Sequence, residues 1–274
     1  MATRRIIPAL QRDKILKYLS ENKRFDGRSV GKYRDLIVES GVSKNAESAV
    51  RVKLGKTEVL VGVKLGLAVP YPDSPAEGTF MVSAEMHPMA SNYFESGRPG
   101  INSIELSRVI DRGIRESGLI DVKKLCISEG EKVWQVFVDI VALNDDGNMF
   151  DAAGLGAIIA LGNAKMPIYN EKEDKIDFEL TKNSLPLNKE ALSFSMTFHK
   201  LGDTIVADVT EEEEAISDFR LTIAMGDNNG KPRITAMQKG GEGVVTDEDM
   251  ENILNLASDT WKKLFPVVKK HVFE

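Results

Sequence analysis

Residues 152–165 are apolar nearly all round. A helix without a polar face has no place on a protein surface, so this stretch reads as a fully buried helix that other elements must enclose. It is too short to span a bilayer. Gly154, Gly156, Ala157 and Ala160 let neighbouring backbone approach closely. Each interior glycine costs a helix about 1 kcal/mol, so packing has to compensate. A chain of 274 residues can build the enclosure: at this length most of the apolar surface of the unfolded chain is buried on folding. A soft prior of ~150 residues per domain gives two domains or one large one. With 42% hydrophobic and 28% charged residues, disorder and collagen-like repeats are excluded.

The rest of the pattern supplies sheets. Residues 11–21 form an amphipathic helix with Ile15, Leu16 and Leu19 on one stripe, and Arg24-Phe25-Asp26-Gly27-Arg28 turns the chain. From Ala49 the period is two: Val50, Val52 and Leu54 face one way, Arg51 and Lys53 the other. Gly55-Lys56 suits the two-residue loop of a type II′ hairpin into the Val-rich residues 57–64. Phe80, Val82, Ala84 and Met86 alternate after a proline-rich loop, and residues 133–143 make a long strand. Between them Asn102 offers a helix N-cap with Glu105 as capping-box partner. Residues 171–190 are charged and aperiodic. Alternation resumes at 192–198 and 219–225, with turns at Gly202-Asp203 and at Asn229-Gly230, after which 233–239 returns. A last helix starts at Thr246 with Asp249 as its capping partner, and Pro266 ends or kinks it. Both halves give hairpins followed by a helix. The fold class is α+β, with mostly antiparallel sheets and two covering helical layers. The division is 1–23 (N-terminal helix), 24–168 (first domain), 169–190 (charged connection) and 191–274 (second domain).

Lys and Arg number 36 against 42 Asp and Glu, a net charge of −6. A free-standing nucleic-acid binder usually carries a basic excess, so any such contact must come from a local patch or a shared surface. Arg108, Arg112 and Arg115 lie at i, i+4 and i+7 and share a helical stripe opposite Leu106, Ile110 and Gly113. Three forked guanidiniums in a row can hold successive phosphates of a single strand. Arg98, in Gly97-Arg98-Pro99-Gly100, lies near the start of that helix. Glu105, Asp111 and Glu116 flank the stripe at ion-pair spacing, as on a solvated helix face, and both readings stand.

The turn Asp145-Asp146-Gly147-Asn148-Met149-Phe150-Asp151 leads into the buried helix. It holds no Ser, Thr, Arg or Lys to complete an oxyanion cradle. Asp151 at the N-cap would repel phosphate from the dipole end. Asp208 and the run Glu211-Glu212-Glu213-Glu214 could hold Mg²⁺, although charge runs in loops are usually solvated. Asp139, if partly buried, needs an Arg or Lys partner. His87, His199 and His271 sit at no ligand spacing and Cys126 is the single cysteine, so neither a triad, a zinc motif nor an internal disulfide can be assembled. No catalytic residue, metal ligand or cofactor is expected. The opening residues have too short an apolar core for a secretory signal, which makes the cytoplasm the default address.

Several of these segments match one family. Arg24-Phe25-Asp26-Gly27-Arg28 fits an Arg-x-Asp-Gly-Arg opening motif, and Val52-Lys53-Leu54-Gly55-Lys56-Thr57 fits the first hairpin that follows it. Ile104-Glu105-Leu106-Ser107-Arg108-Val109-Ile110-Asp111-Arg112 fits an arginine-bearing helix, and Val138-Asp139-Ile140 with Asp146-Gly147-Asn148 a central strand and turn. Over most of residues 11–265 the chain resembles the RNase PH superfamily. Tyr71-Pro72-Asp73 and Phe94-Glu95 look like the branch of non-catalytic RNase-PH-type ring subunits of the archaeal exosome.

The resemblance implies an RNase PH-type, ribosomal-protein-S5-domain-2-like fold. It also implies a hexameric ring, a trimer of heterodimers with a catalytic RNase-PH-type exosome subunit, around a channel for single-stranded RNA, with RNA-binding cap subunits and no membrane. Active relatives carry Gly-Thr-Arg or Gly-Ser-Arg where Asn148-Met149-Phe150 stands here. They hold two aspartates six apart where this chain has Asp208 and Glu214. The expectation is therefore a non-catalytic subunit that structures its partner's active site. It would position RNA, through Arg98, Arg108, Arg112 and Arg115, for phosphorolytic 3′-to-5′ degradation. The alternatives are an active phosphorolytic exoribonuclease, or a small-molecule enzyme on the same scaffold. The absence of a Gly-x-x-x-x-Gly-Lys-Ser/Thr loop weakens the last.

Overall fold

Ile15 and Leu19, four apart, bury one face of helix α1 (Ala9–Ser20). They pack with Leu201, Val206, Val209 and Ile216, so the first helix closes a small core on the second half of the chain. This computed structural model describes residues 7–273; the opening residues considered above for a signal lie outside the described residues. Strands β1 (Leu36–Ser40), β2 (Ser48–Leu54), β3 (Thr57–Ala68) and β4 (Thr79–Met86) follow. The alternation makes Val50, Val52 and Leu54 of β2 and Val59, Val61 and Val63 of β3 one buried face, paired so that Val52 lies opposite Val59. Gly55 turns the hairpin with φ +60°, the value a type II′ turn needs at its first central residue.

Helix α2 (Ile101–Ser117) leads through a short 3₁₀ turn and β5 (Cys126–Ser128) into β6 (Lys132–Asn144). The sheet order is β1-β2-β3-β6-β4, with β5 beside β6. β6 is antiparallel to β3 but parallel to β4, because α2 carries the chain back over the sheet between them. Two details differ from the sequence reading. The N-cap of α2 is Gly100, with no side-chain cap, and Glu105 turns away to pair with Arg220 at 2.6 Å. Asp139 is exposed: the pleat points it away from buried Val138 and Ile140, and it accepts from the Ser83 hydroxyl at 2.6 Å rather than from a cation.

Helix α3 (Met149–Asn163) is the apolar stretch, buried from Asp151 through Leu161. After it comes a hairpin of β7 (Lys165–Asn170) and β8 (Lys175–Ser184), whose second strand lies in the charged, aperiodic stretch. Ile168 and Phe178 stay exposed. Pro167 is buried and Met166, Tyr169 and Ile176 pack partly on the main core, but register shifts on both sides of Pro167 interrupt the pairing, so no regular two-residue repeat marks the hairpin. Strands β9 (Ser193–Leu201), β10 (Thr204–Ala207), β11 (Phe219–Asn228) and β12 (Lys231–Gly240) form the second sheet in the order β10-β9-β11-β12. The acidic run is not a solvated loop. It is the short helix α4 (Glu211–Ala215), closed by a Thr210–Glu213 capping box. Helix α5 (Asp247–Phe273) starts with the expected reciprocal bonds between Thr246 and Asp249 and continues past Pro266.

The helices cover the sheets from between them. α3 meets β2, β3 and β6 on one side and β9 on the other, and α2 meets β4 on one side and β9 and β12 on the other. One continuous core therefore runs from Val50 and Val61 through Ala157 to Phe194, Phe198 and Trp261.

Candidate functional site

The turn between β6 and α3 and the segment after β10 meet at Asp208, which is 0% exposed. Two arginines from the irregular segment after α1 converge on its carboxylate. Arg28 Nη1 donates to Oδ2 at 2.7 Å. Arg34 donates through its backbone N–H to Oδ2 at 2.7 Å and through Nη2 to Oδ1 at 2.7 Å. Asn148 Nδ2 donates to Oδ1 at 2.9 Å. Burial alone pushes this carboxyl up, but the Arg34 hydrogen bonds and charge, helped by Asn148, outweigh it and hold it below the usual carboxylate range. Beside it, Arg24 is buried in an ion pair with Glu213 and donates to the Ala207 and Asp208 carbonyls. The arginines of the opening motif thus lock the N-terminal segment onto the β10–α4 connection. Asp208 has no oxygen to spare for a cation. Among the described residues no group of three His, Cys, Asp or Glu is arranged to hold a metal.

At the N-terminus of α3 the N-cap residue is Asn148, left-handed at φ +55° and making no side-chain cap. Asp151 is not the cap. It lies in the first turn, fully buried, accepting from Tyr33 Oη, Thr197 N, Thr197 Oγ1 and Asn148 Nδ2 at 2.7–3.0 Å. Burial nevertheless pushes its pKa up to about 6. The dipole end is met instead by Glu214, whose Oε2 accepts from the Asn148 N–H at 2.9 Å. A carboxylate there is favourable for the helix and excludes a second anion. Met149 is buried, and Phe150 carries the Arg220 guanidinium 3.8 Å above its ring. Arg220 is held by Glu105, so among the described residues no free cation faces this end of α3.

The arginine stripe divides. Arg98, Arg108 and Arg112 are exposed, and among the described residues none makes an ion pair. Arg115 is committed: it forms a two-pronged pair with Asp111 at 2.8 and 2.9 Å, donates to the Phe80 carbonyl and stacks 4.1 Å over the Phe80 ring. Glu105 belongs to Arg220, and Glu116 makes no ion pair among the described residues, so the flanking acids neutralise one arginine of the three. Arg24, Arg34 and Arg220 were not visible as site residues in the sequence. Their partners lie 189, 174 and 115 positions away, and no local pattern announces such a pair.

The geometry can be set beside known proteins. The profile of the 3′ exoribonuclease family, domain 1, matches residues 32–167, and that of its domain 2 matches residues 192–260. The exosome complex component Rrp42 of Methanothermobacter thermautotrophicus is 41% identical over 266 residues, covering 97% of this chain and 96% of that protein. Its counterpart from Pyrococcus furiosus is 43% identical over 265 residues, covering 96% and 93%. A chain of the Archaeoglobus fulgidus exosome with RNA bound to the active site superposes with a TM-score of 0.83 at 40% identity, covering 93% of this chain and 98% of that one. A chain of an archaeal exosome core gives 0.81 at 39%, covering 95% and 96%. Among the described residues no helix is long and apolar enough to cross a membrane.

Proposed function

This chain belongs to the 3′ exoribonuclease (RNase PH) family, and from that premise we propose that it is an exosome subunit that positions RNA for a catalytic relative and does not itself perform phosphorolysis. The observation that carries the reading is the N-terminus of α3. Phosphorolysis needs inorganic phosphate held beside the 3′-terminal linkage, and a helix N-terminus with a nearby cation is the usual cradle. Here the Glu214 carboxylate occupies the dipole end, and Met149 and Phe150 stand where a cation would be needed. Asp208, the acid that the reaction would call on for its leaving group, is spent on Arg28 and Arg34.

The chain's contribution is then a surface. Arg108 and Arg112, exposed and unneutralised, hold phosphates of single-stranded RNA, with Arg98 in the loop ahead of them. Arg115 adds to this face only when Asp111 releases it. The assembly is a cytoplasmic hexameric ring, a trimer of heterodimers with the catalytic RNase-PH-type subunit, carrying RNA-binding caps. Heterologous faces that close by rotation give such rings, and high identity to Rrp42 proteins over nearly the whole chain supports it.

The test is degradation of single-stranded RNA with inorganic phosphate, first by the homogeneous chain and then by the ring formed with its catalytic relative. No nucleoside diphosphate is released by the chain alone. In the ring, Arg112→Ala lowers RNA affinity and reduces the salt slope by about 0.7, the amount set by one phosphate that is no longer neutralised. Arg115→Ala changes both less. Phosphate-dependent shortening by the isolated chain, or an unchanged salt slope in the Arg112→Ala ring, overturns the proposal.

A further inference from the structure

We infer that Asp111 limits the grip of the arginine stripe on RNA: it holds Arg115 back from the strand, so that α2 offers two free cations where its sequence provides three. The inference rests on the positioning role proposed above and names the residue that regulates it. Asp111 lies three positions after Arg108 and four before Arg115, so on a helix either arginine is within reach. Both of its oxygens go to Arg115, Oδ2 to Nε at 2.9 Å and Oδ1 to Nη2 at 2.8 Å. Phe80 decides between the two. Its ring lies 4.1 Å from the Arg115 guanidinium and its carbonyl accepts from Nη2 at 3.2 Å. Among the described residues nothing comparable holds Arg108. Phe80 is itself buried on β4, so the platform that keeps Arg115 beside Asp111 is a fixed one.

The consequence for an incoming strand is chemical. A phosphate is recognised best by two parallel N–H donors of one guanidinium. On Arg115 the edge formed by Nε and Nη2 is spent on the carboxylate, and Nη2 is spent again on the Phe80 carbonyl. The pair also carries no net charge, so it neutralises no phosphate and releases no condensed counterion. Arg108 and Arg112 are exposed without an ion pair among the described residues and keep their full charge. The hold on Arg115 is nevertheless reversible. Its side chain is 51% exposed and that of Asp111 26%, and pairs in contact with water are weak, so a phosphate competes with the carboxylate instead of being shut out. A strand that advances nucleotide by nucleotide is served by a contact that yields.

The experiment is fluorescence anisotropy of a labelled oligoadenylate on the ring formed with the catalytic relative, without inorganic phosphate and at several salt concentrations. Asp111→Asn removes the charge and frees Arg115. Affinity rises about two- to fivefold, the range set by an exposed ion pair, and the salt slope steepens by up to about 0.7. Asp111→Ala does the same, whereas Asp111→Glu keeps a carboxylate within reach of Arg115 and binds as wild type. The gain disappears when Asp111→Asn is combined with Arg115→Ala, because no cation is left to release. That arm separates masking from simple repulsion between Asp111 and the strand, which raises affinity in either background. Unchanged or weaker binding by the Asp111→Asn ring, or an equal gain in the Arg115→Ala background, overturns the inference. So does failure of the Asp111→Asn and Asp111→Ala chains to enter the ring, which assigns the pair to assembly. The Arg112→Ala ring tells two failures apart. If it loses affinity while Asp111→Asn gains none, the positioning role stands and this inference alone falls; if it binds as wild type, both fall.

Discussion

Asp208 shows how a residue's chemistry depends on what surrounds it. A buried carboxylate in a cleft invites a catalytic or metal-binding role, yet each of its oxygens already accepts from an arginine, and Asn148 adds a further bond. Ion pairs of this kind are costly to break from one side, since the remaining charges stay buried without compensation. Asp208→Ala should therefore destabilise the chain by about 3–5 kcal/mol, read from urea unfolding at neutral pH. A loss below about 1 kcal/mol would mean that water replaces the carboxylate and that Arg28 and Arg34 are not locked by it. In the sequence, Asp208 was legible as a carboxylate that matters and the opening motif as one that turns the chain. Their partnership was not. A pair separated by 174–180 positions is made by the fold, and neither its residue types nor its spacing carries a trace of it.

At the level of elements, periodicity told most where one face is buried. The β2–β3 hairpin, the stripe of α2 and the all-round burial of α3 follow from their patterns, because the core imposes the repeat; β12 is marked only by the Asn229-Gly230 turn, since its Ile234 and Met237 stay exposed. It told least where the strand pairing is interrupted, as in β7–β8, and where the cap is backbone alone, as at Gly100. The β6–α3 turn depends on a different constraint. Gly147 has φ +84°, and a Cβ there would lie 2.5 Å from the carbonyl carbon of Thr210 and 2.6 Å from the Glu211 nitrogen. Neither atom can move without displacing α4 and with it Glu213 and Glu214. Gly118, at the C-terminus of α2, has a similar φ of +73° but open space around it. Gly118→Ala should cost about 1–2 kcal/mol for the left-handed backbone alone. Gly147→Ala should cost clearly more, with the excess measuring how tightly the turn packs on α4. Equal unfolding midpoints for the two variants would show that α4 yields freely and that the turn is not wedged against it.

Two buried titratable groups act on the molecule as a whole, and they oppose each other. Asp151 has a folded pKa of about 6 against an ordinary 3.8, because burial outweighs its four hydrogen bonds. The folded state then holds a proton that the unfolded state has released, and stability falls as pH rises from about 4 to about 6. His199 is pushed down to about 3, first by burial and then by the nearby Arg220. Here the unfolded state holds the extra proton, so stability rises with pH from about 3 to about 6.5. Across the shared window the two slopes cancel. The carboxylates held below their ordinary values, Asp26, Asp174, Asp208 and Asp249 among them, lose their contribution only as pH falls through about 4. Stability of the wild-type chain should therefore be nearly flat between about pH 4.5 and 5.5 with respect to these groups. Removing either partner exposes the other. Asp151→Asn keeps an oxygen for Tyr33 and the Thr197 N–H while the Thr197 hydroxyl can accept from its amide, and its stability should climb by up to about 1.4 kcal/mol per pH unit in that window. His199→Asn retains a polar atom for the Ser217 hydroxyl, which meets Nδ1 at 2.9 Å, and its stability should fall with a comparable slope. Urea unfolding of the three proteins at half-unit pH steps supplies the slopes. Parallel curves for all three would show that neither group changes its proton occupancy on folding, and that the polar network joining α3 to β9 carries no net charge cost.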